Sequence, residues 1–188
     1  MEFEAQINVA SADLGSKVIH CSDEFFAPSK RMLQSSDPVW IEGKFDDHGK
    51  WMDGWETRRR RDGKNDYCFI KLGKKSIING FDIDTRNFTG NYAPGVSILG
   101  ACFADNLNEG EIIAQSNNNS WFDLLDSQGL NGDSHNVFSS ISSEEITHLK
   151  VTMYPDGGIA RLRAYGNICF DNMLYGVEQT NVIAANTG

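Results

Sequence analysis

Short segments in which apolar and polar side chains alternate constrain the fold of this chain more than any other feature. In residues 147–154, Leu149, Val151 and Met153 alternate with polar neighbours, which is the pattern of a strand buried on one face. Residues 159–165 repeat this alternation, and a Pro-Asp-Gly-Gly sequence typical of a tight turn separates the two segments. The two segments are therefore predicted to form a hairpin.

Similar segments occur along most of the chain, separated by connections rich in Gly, Asn and Ser. Residues 66–72 and 77–84 flank a short basic turn, which favours two adjacent strands. Residues 104–120 are predicted to be a surface excursion, and a helix is favoured only after Pro28. About eight or nine short, evenly spaced strands predict an all-β chain, a sandwich or jelly roll. The other predicted strands are residues 17–21, 38–41, 96–103, 121–125 and 136–139.

The length and charge of the chain limit its organisation and its partners. A chain of 188 residues can bury a proper core and fits one domain better than two. Its 17 basic and 26 acidic side chains give a net charge of −9, which disfavours nucleic acid as a partner. A small anionic substrate remains compatible, because a few arginines dominate the field inside a cleft. No apolar stretch approaches the roughly 18 residues of a spanning helix, so we expect no membrane association and a cytoplasmic location.

Neither a metal nor an organic cofactor is indicated by the sequence. The four histidines are scattered without an H-E-x-x-H motif, and the four cysteines contain no C-x-x-C pair. The absence of a G-x-S-x-G elbow and of a glycine-rich phosphate loop disfavours serine nucleophiles and nucleotide binding. Carboxylates and a histidine from separate loops could still converge on a divalent ion.

The loop from Lys44 to Asp62 contains the richest cluster of chemically useful side chains. Asp53 and Glu56 lie three positions apart beside tryptophans, and burial together with arginine charge can push their pKa values apart. These two carboxylates are therefore candidates for general acid and base catalysis. In the alternative interpretation, the tryptophans anchor the core, and the arginines at 58–61 form a solvated face or pair with surplus acids.

Two further clusters lie at predicted turns. Residues 82–94 place Asp84 and Asn91 near a strand end, where loops present polar groups to a ligand, although an ordinary hairpin loop uses the same residue types. Residues 156–161 combine an Asp-Gly-Gly sequence with Arg161. Because Asp-Gly and Gly-Gly are common hairpin turns, this third cluster by itself is more typical of a structural turn.

Four blocks of the sequence, in order along the chain, resemble the allantoicase family. The run from Gly49 to Arg59 is the strongest of them. The resemblance implies a jelly-roll β-sandwich of the galactose-binding, discoidin-like kind. It also implies a hydrolase that converts allantoate and water to ureidoglycolate and urea in allantoin and purine catabolism. The blocks are residues 22–28, 49–59, 80–85 with 88–94, and 147–150 with 153–161.

The resemblance further implies two repeats in tandem. We expect one repeat in residues 1–170, followed in residues 171–188 by a linker and the start of a second repeat that is absent. Asn, Val, Ala and Gly of residues 7–15 recur in register in residues 180–188, which supports this division. A second allantoicase repeat and a homo-oligomer are the expected partners, and an active site that needs both repeats would leave one repeat inactive.

The chemistry of allantoate indicates which residues a site would use. The molecule has one carboxylate and two neutral ureido groups, so it needs a cation, hydrogen-bonding groups and acid or base assistance. Asp53 and Glu56 are the expected catalytic residues. The alternatives are a non-catalytic discoidin-like ligand-binding domain and a half needed only for assembly. The expected substrate-binding residues are Arg58, Arg59, Trp55, Asp84, Asn91 and Arg161.

Overall fold

The computed structural model describes residues 2–116 and 118–170, most of which belong to or connect β-strands. The described helices are α1 (Glu109–Ala114) and 3-10 turns at Glu2–Ala5, Ala12–Leu14 and Ser29–Leu33. The strands are β1 (Ile7–Asn8), β2 (Lys17–Cys21), β3 (Phe45–Asp46), β4 (Gly49–Lys50), β5 (Trp55–Glu56), β6 (Asp66–Asp84), β7 (Gly95–Ala101), β8 (Phe122–Gly129), β9 (His135–Ser139), β10 (Ile146–Met153), β11 (Gly158–Ile159) and β12 (Arg161–Ile168).

The long strand β6 joins the two layers of the fold. Its first half pairs antiparallel with β2 and β10, and its second half pairs antiparallel with β9 and β12. Strands β7 and β8 extend the first layer beyond β10, and β1 extends the second layer beyond β12. Because one strand runs through both layers, the sheet curls on itself, and the predicted all-β jelly-roll sandwich is confirmed.

Both layers contribute apolar side chains to one core. Ile70 from the first half of β6 and Phe81 and Ile83 from the second half are all fully buried. They pack in the same cluster as Val151 of β10 and Leu162 of β12. Burying a side chain of this size stabilises a fold by about 1.5–3 kcal/mol relative to leaving it exposed, so this cluster holds the two layers together.

The predicted hairpin between residues 147–154 and 159–165 is wrong. Strand β10 pairs with the first half of β6 and with β7, whereas β12 pairs with the second half of β6 and with β1. The intervening turn instead leads into β11, which pairs with β5. Alternation correctly predicted that both segments are strands, but β12 is buried on both faces at Arg161–Ala164, and alternation carries no information about the pairing partner.

Three other local predictions differ from the structure. Residues 66–72 and 77–84 are not two strands, because β6 continues through the basic turn between them. Residues 38–41 form no strand, and Trp40 and Ile41 are each 44% exposed. The excursion at 104–120 contains α1, whose start is capped by Asn108 and Glu111 and whose Ile112 is buried. Capping satisfies the free N–H groups at the first turn and explains why so short a helix forms.

The described helices are too short and too polar to span a membrane. The predicted linker and second-repeat start at 171–188 lie outside the described residues.

Candidate active site

Backbone contacts bring four distant segments together at β5. Glu56 bridges to Ala27 on one side and pairs with Gly158 of β11 on the other. Gly158 in turn bridges to Tyr92. Each of these residues belongs to a different one of the four blocks that carry the family resemblance, so the blocks converge around Glu56.

Two glycines permit this close approach of the backbone. Gly157 has a φ of 131°, and a Cβ there would lie 2.6 Å from the carbonyl oxygen of Tyr92. A Cβ on Gly54 would lie 2.5 Å from the carbonyl oxygen of Ile159. Both distances are shorter than any ordinary Cβ contact, so a side chain at either position would push the segments apart.

A cleft of about 340 Å³ opens beside these contacts, and Glu56 forms part of its wall. The Glu56 side chain accepts a hydrogen bond at Oε1 from Nδ2 of Asn91, at 2.7 Å. Burial raises the pKa of the Glu56 carboxyl above its ordinary value, and the charge of Asp46 adds to the rise against the opposing Asn91 hydrogen bond. A carboxyl that keeps its proton to higher pH is suited to general acid catalysis.

Arg59 supplies positive charge to the cleft. Its side chain is exposed, and within the described part of the chain it has no hydrogen-bond or ion-pair partner. It also lines an adjoining pocket of about 440 Å³. Since all its N–H groups are available, Arg59 can bind a carboxylate in the bidentate manner that the planar guanidinium favours.

Arg58 is bound to Asp23 instead. Its Nε donates to Oδ2 of Asp23 at 2.7 Å, its backbone N–H donates to Oδ1 at 3.0 Å, and its guanidinium lies 5.0 Å from the ring centre of Phe25. Burial of Asp23 raises the pKa of its carboxyl, but the backbone N–H of Phe25, which donates to Oδ1 at 3.1 Å, and the bonds from Arg58 outweigh it and lower that pKa. Arg58 lines the adjoining pocket and not the cleft of Glu56.

Trp55 lies behind the cleft, in the hydrophobic core. It is fully buried, and its Nε1 donates a hydrogen bond to the carbonyl oxygen of Asp23 at 2.8 Å. A side chain without exposed surface cannot contact a ligand in this conformation, so Trp55 fixes the position of β5.

Asp53 and Arg161 form a buried ion pair. Nη2 of Arg161 donates to Oδ2 of Asp53 at 2.7 Å, and the same oxygen accepts the backbone N–H of Val39. A guanidinium has five N–H groups, and all five of Arg161 are used within the protein. The remaining acceptors are the carbonyl oxygens of Ser36, Asp37, Asp53 and Ala160. Neither side chain of the pair lines the cleft.

The carboxylate of Asp84 is likewise bound by arginines. It is fully buried, and its carboxylate accepts hydrogen bonds from Arg86 and from Nη1 of Arg163. Burial opposes ionisation, but these bonds outweigh it and lower the pKa of the Asp84 carboxyl. Asp37 binds the same two arginines, so Asp84 belongs to a charged network that holds the loop around Asp37 against the sheet.

Of the expected site residues, the structure therefore brings Glu56, Arg59 and Asn91 together in one cleft. The cleft is not lined by Asp53, Trp55, Asp84 or Arg161. The cleft also contains residues that the sequence analysis did not select, namely Phe26, Thr57, Tyr92 and Asp156. Asp156 lies inside one of the family blocks, which points to a functional role, but its Asp-Gly-Gly context predicts a structural turn.

The described residues contain no group of three or more His, Cys, Asp or Glu side chains arranged to hold a metal ion.

Known proteins match this chain over the stretch that contains the four blocks. The family model for the allantoicase repeat matches residues 7–169. Probable allantoicases of Pseudomonas aeruginosa and Acinetobacter baumannii are 50% and 47% identical to this chain over 164 and 161 residues. These alignments cover 87% and 86% of this chain but 47% and 46% of the relatives, so the chain spans about half the length of the curated relatives it matches.

Solved structures agree with the sequence matches. A structure of allantoicase superimposes with a TM-score of 0.76 and 34% identity, over 89% of this chain and 52% of that one. The allantoicase of Saccharomyces cerevisiae gives a TM-score of 0.76 at 32% identity over the same fractions. A CBM32 domain of a Clostridium perfringens glycoside hydrolase, with a TM-score of 0.55 at 14% identity, shares the fold alone. Because the family model and the relatives match most of its residues, this chain belongs to the allantoicase family.

Proposed function

We propose that this chain provides a catalytic site for hydrolysis of allantoate to ureidoglycolate and urea, a step in the breakdown of allantoin and purines. One observation carries the proposal. In the cleft where the four family blocks meet, a buried carboxyl with a raised pKa, Glu56, lies with an unpaired guanidinium, Arg59. An acid and a carboxylate-binding cation are the two groups that this reaction needs most.

The substrate has a group for each of these side chains. Arg59 binds the carboxylate of the substrate. Asn91 uses one N–H of its side-chain amide for Glu56, and the other N–H and the carbonyl oxygen hydrogen-bond a ureido arm. Protonated Glu56 gives its proton to the nitrogen that leaves as urea. General acid assistance of this kind contributes typically about 10²–10⁴-fold to a rate.

The other expected site residues support the cleft in this proposal. Arg58 holds Asp23 in the adjoining pocket, and Trp55 holds β5 against the core. The Asp53–Arg161 pair and the Asp84 network hold the segments around Ser36 and Asp37. We further propose that the enzyme works in the cytoplasm, beside a second allantoicase repeat and as a homo-oligomer.

Release of urea from allantoate by the purified chain tests the function. Activity of the chain, or of the chain extended through a second repeat, supports the proposal if Glu56→Gln lowers kcat/KM for urea release by about 10²–10⁴-fold in that form. If neither form releases urea, or if Glu56→Gln leaves kcat/KM unchanged, the proposal fails. Activity of the extended form alone would show that the site needs both repeats.

A further inference from the structure

Asp156 shares the cleft with Glu56. It lies two residues before Gly158, which pairs directly with Glu56 across β11 and β5. The residue is 7% exposed, and its side chain lines the cleft wall formed by Thr57, Arg59 and Asn91. A second carboxylate residue therefore lines the same cleft as Glu56.

The two oxygens of the Asp156 carboxylate differ in their surroundings. Oδ2 accepts a hydrogen bond from the backbone N–H of Arg60 at 2.7 Å, which orients the group. Oδ1 has no partner among the described residues, and it is not one of their buried unpaired atoms. This oxygen is therefore available to accept a hydrogen bond from a water molecule or a ligand.

Asp53, the other carboxylate expected in catalysis, does not line the cleft, and its Oδ2 accepts hydrogen bonds from Val39 and Arg161. A general base must come within hydrogen-bond reach of the attacking water. Among the described acidic residues, Glu56 and Asp156 are the two that line the cleft.

On the basis of the proposed hydrolysis, we propose that Asp156 is the second catalytic carboxylate and acts as the general base opposite Glu56. A water molecule attacks the central carbon of allantoate, so that a C–O bond forms while the C–N bond to one ureido group breaks. The proton of the water passes to Oδ1 of Asp156. The proton of Glu56 passes to the departing nitrogen, which completes urea, and exchange with solvent restores both groups.

The test compares Asp156→Asn, Asp53→Asn and Asp62→Asn in the form of the chain that releases urea. An asparagine at 156 can still accept the Arg60 N–H, so the fold is retained while the base is lost. Asp62 is an exposed carboxylate beside Arg60 and controls for the change of charge. For Asp156→Asn we expect kcat to fall by about 10²–10⁴-fold with KM within about threefold of wild type.

Thermal unfolding separates a catalytic role from a structural one. For Asp156→Asn we expect Tm to stay close to that of wild type while kcat falls. A fall of Tm and kcat together would show a structural role and would overturn the assignment. So would a kcat for Asp156→Asn within threefold of wild type, or an equal fall of kcat in Asp62→Asn. If wild type releases no urea, the proposed function is wrong, and the proposed catalytic role of Asp156 is wrong with it.

Discussion

Arg58 and Arg59 are adjacent in sequence but differ in what their side chains contact. Arg58 binds Asp23 and stacks over Phe25, whereas Arg59 has no partner within the described residues and lines the cleft. The two arginines are therefore suited to different tasks, one structural and one for binding.

Arg59→Lys tests this distinction. Lysine keeps the charge but loses the planar pair of N–H groups, so we expect KM for allantoate to rise by about 10- to 100-fold with little change in kcat. Steady-state urea release measures both constants. Arg61→Lys is the matched control, because Arg61 belongs to the same run but lines only the adjoining pocket. Equal effects of the two substitutions would show that Arg59 does not bind the carboxylate.

The candidate site was predictable from sequence only at some positions. Glu56, Arg59 and Asn91 were selected by residue type and family pattern, and they share the cleft. Arg161 and Asp53 were selected on the same grounds, yet each is bound to the other in the interior. Residue type tells which chemistry a side chain can perform, but its hydrogen-bond partners decide whether it is free to perform it.

At the scale of elements, the site depends on the packing of β5 against β11. These strands are only two residues long, so neither has enough hydrogen bonds to define its own position. Gly54 lets the backbone approach Ile159, and Trp55 anchors β5 in the core. The cleft geometry therefore follows from close packing around two short strands.

Gly54→Ala is expected to disturb this packing. The added methyl group would meet the backbone of Ile159 and Ala160, which cannot move aside as a flexible side chain can. Overpacking of this kind costs about 1–3 kcal/mol in the free energy of unfolding, and kcat/KM should fall as well because β5 carries Glu56. Denaturant unfolding and urea release measure the two effects.

Gly129→Ala provides the comparison for this substitution. A Cβ at Gly129, at the end of β8, meets no atom within 4 Å, so its effect on stability should stay within about 0.5 kcal/mol. If Gly54→Ala were as harmless as Gly129→Ala, the close packing of β5 on β11 would not govern the site.

At the scale of the whole molecule, one core shared by both layers makes the fold sensitive to charge in its interior. His148 of β10 is 2% exposed, and burial, with the nearby charge of Lys71, lowers its pKa to about 4. The folded chain therefore favours neutral His148. Its contribution to stability is complete above the unfolded pKa of about 6.5 and is lost as pH falls towards 4.

This shift predicts how the free energy of unfolding depends on pH. Between pH 7 and pH 4, wild type should lose about 2–3 kcal/mol more stability than His148→Gln, which has no imidazole to protonate. Denaturant unfolding at a series of pH values measures the difference, and carboxylates common to both proteins cancel from it. His48→Gln, a change at an exposed histidine, should follow wild type. Parallel curves for wild type and His148→Gln would contradict the prediction.

Local sequence patterns are enough to predict that the chain is built of short strands and that its four blocks resemble one family. These properties are local, because alternation and motif identity are contained within short segments. Long-range contacts establish that β10 and β12 pair with opposite halves of β6, that Asp53 is held by Arg161, and that Asp156 lines the cleft. Pairing and side-chain freedom depend on contacts between residues far apart in the chain, and a local pattern does not contain those contacts.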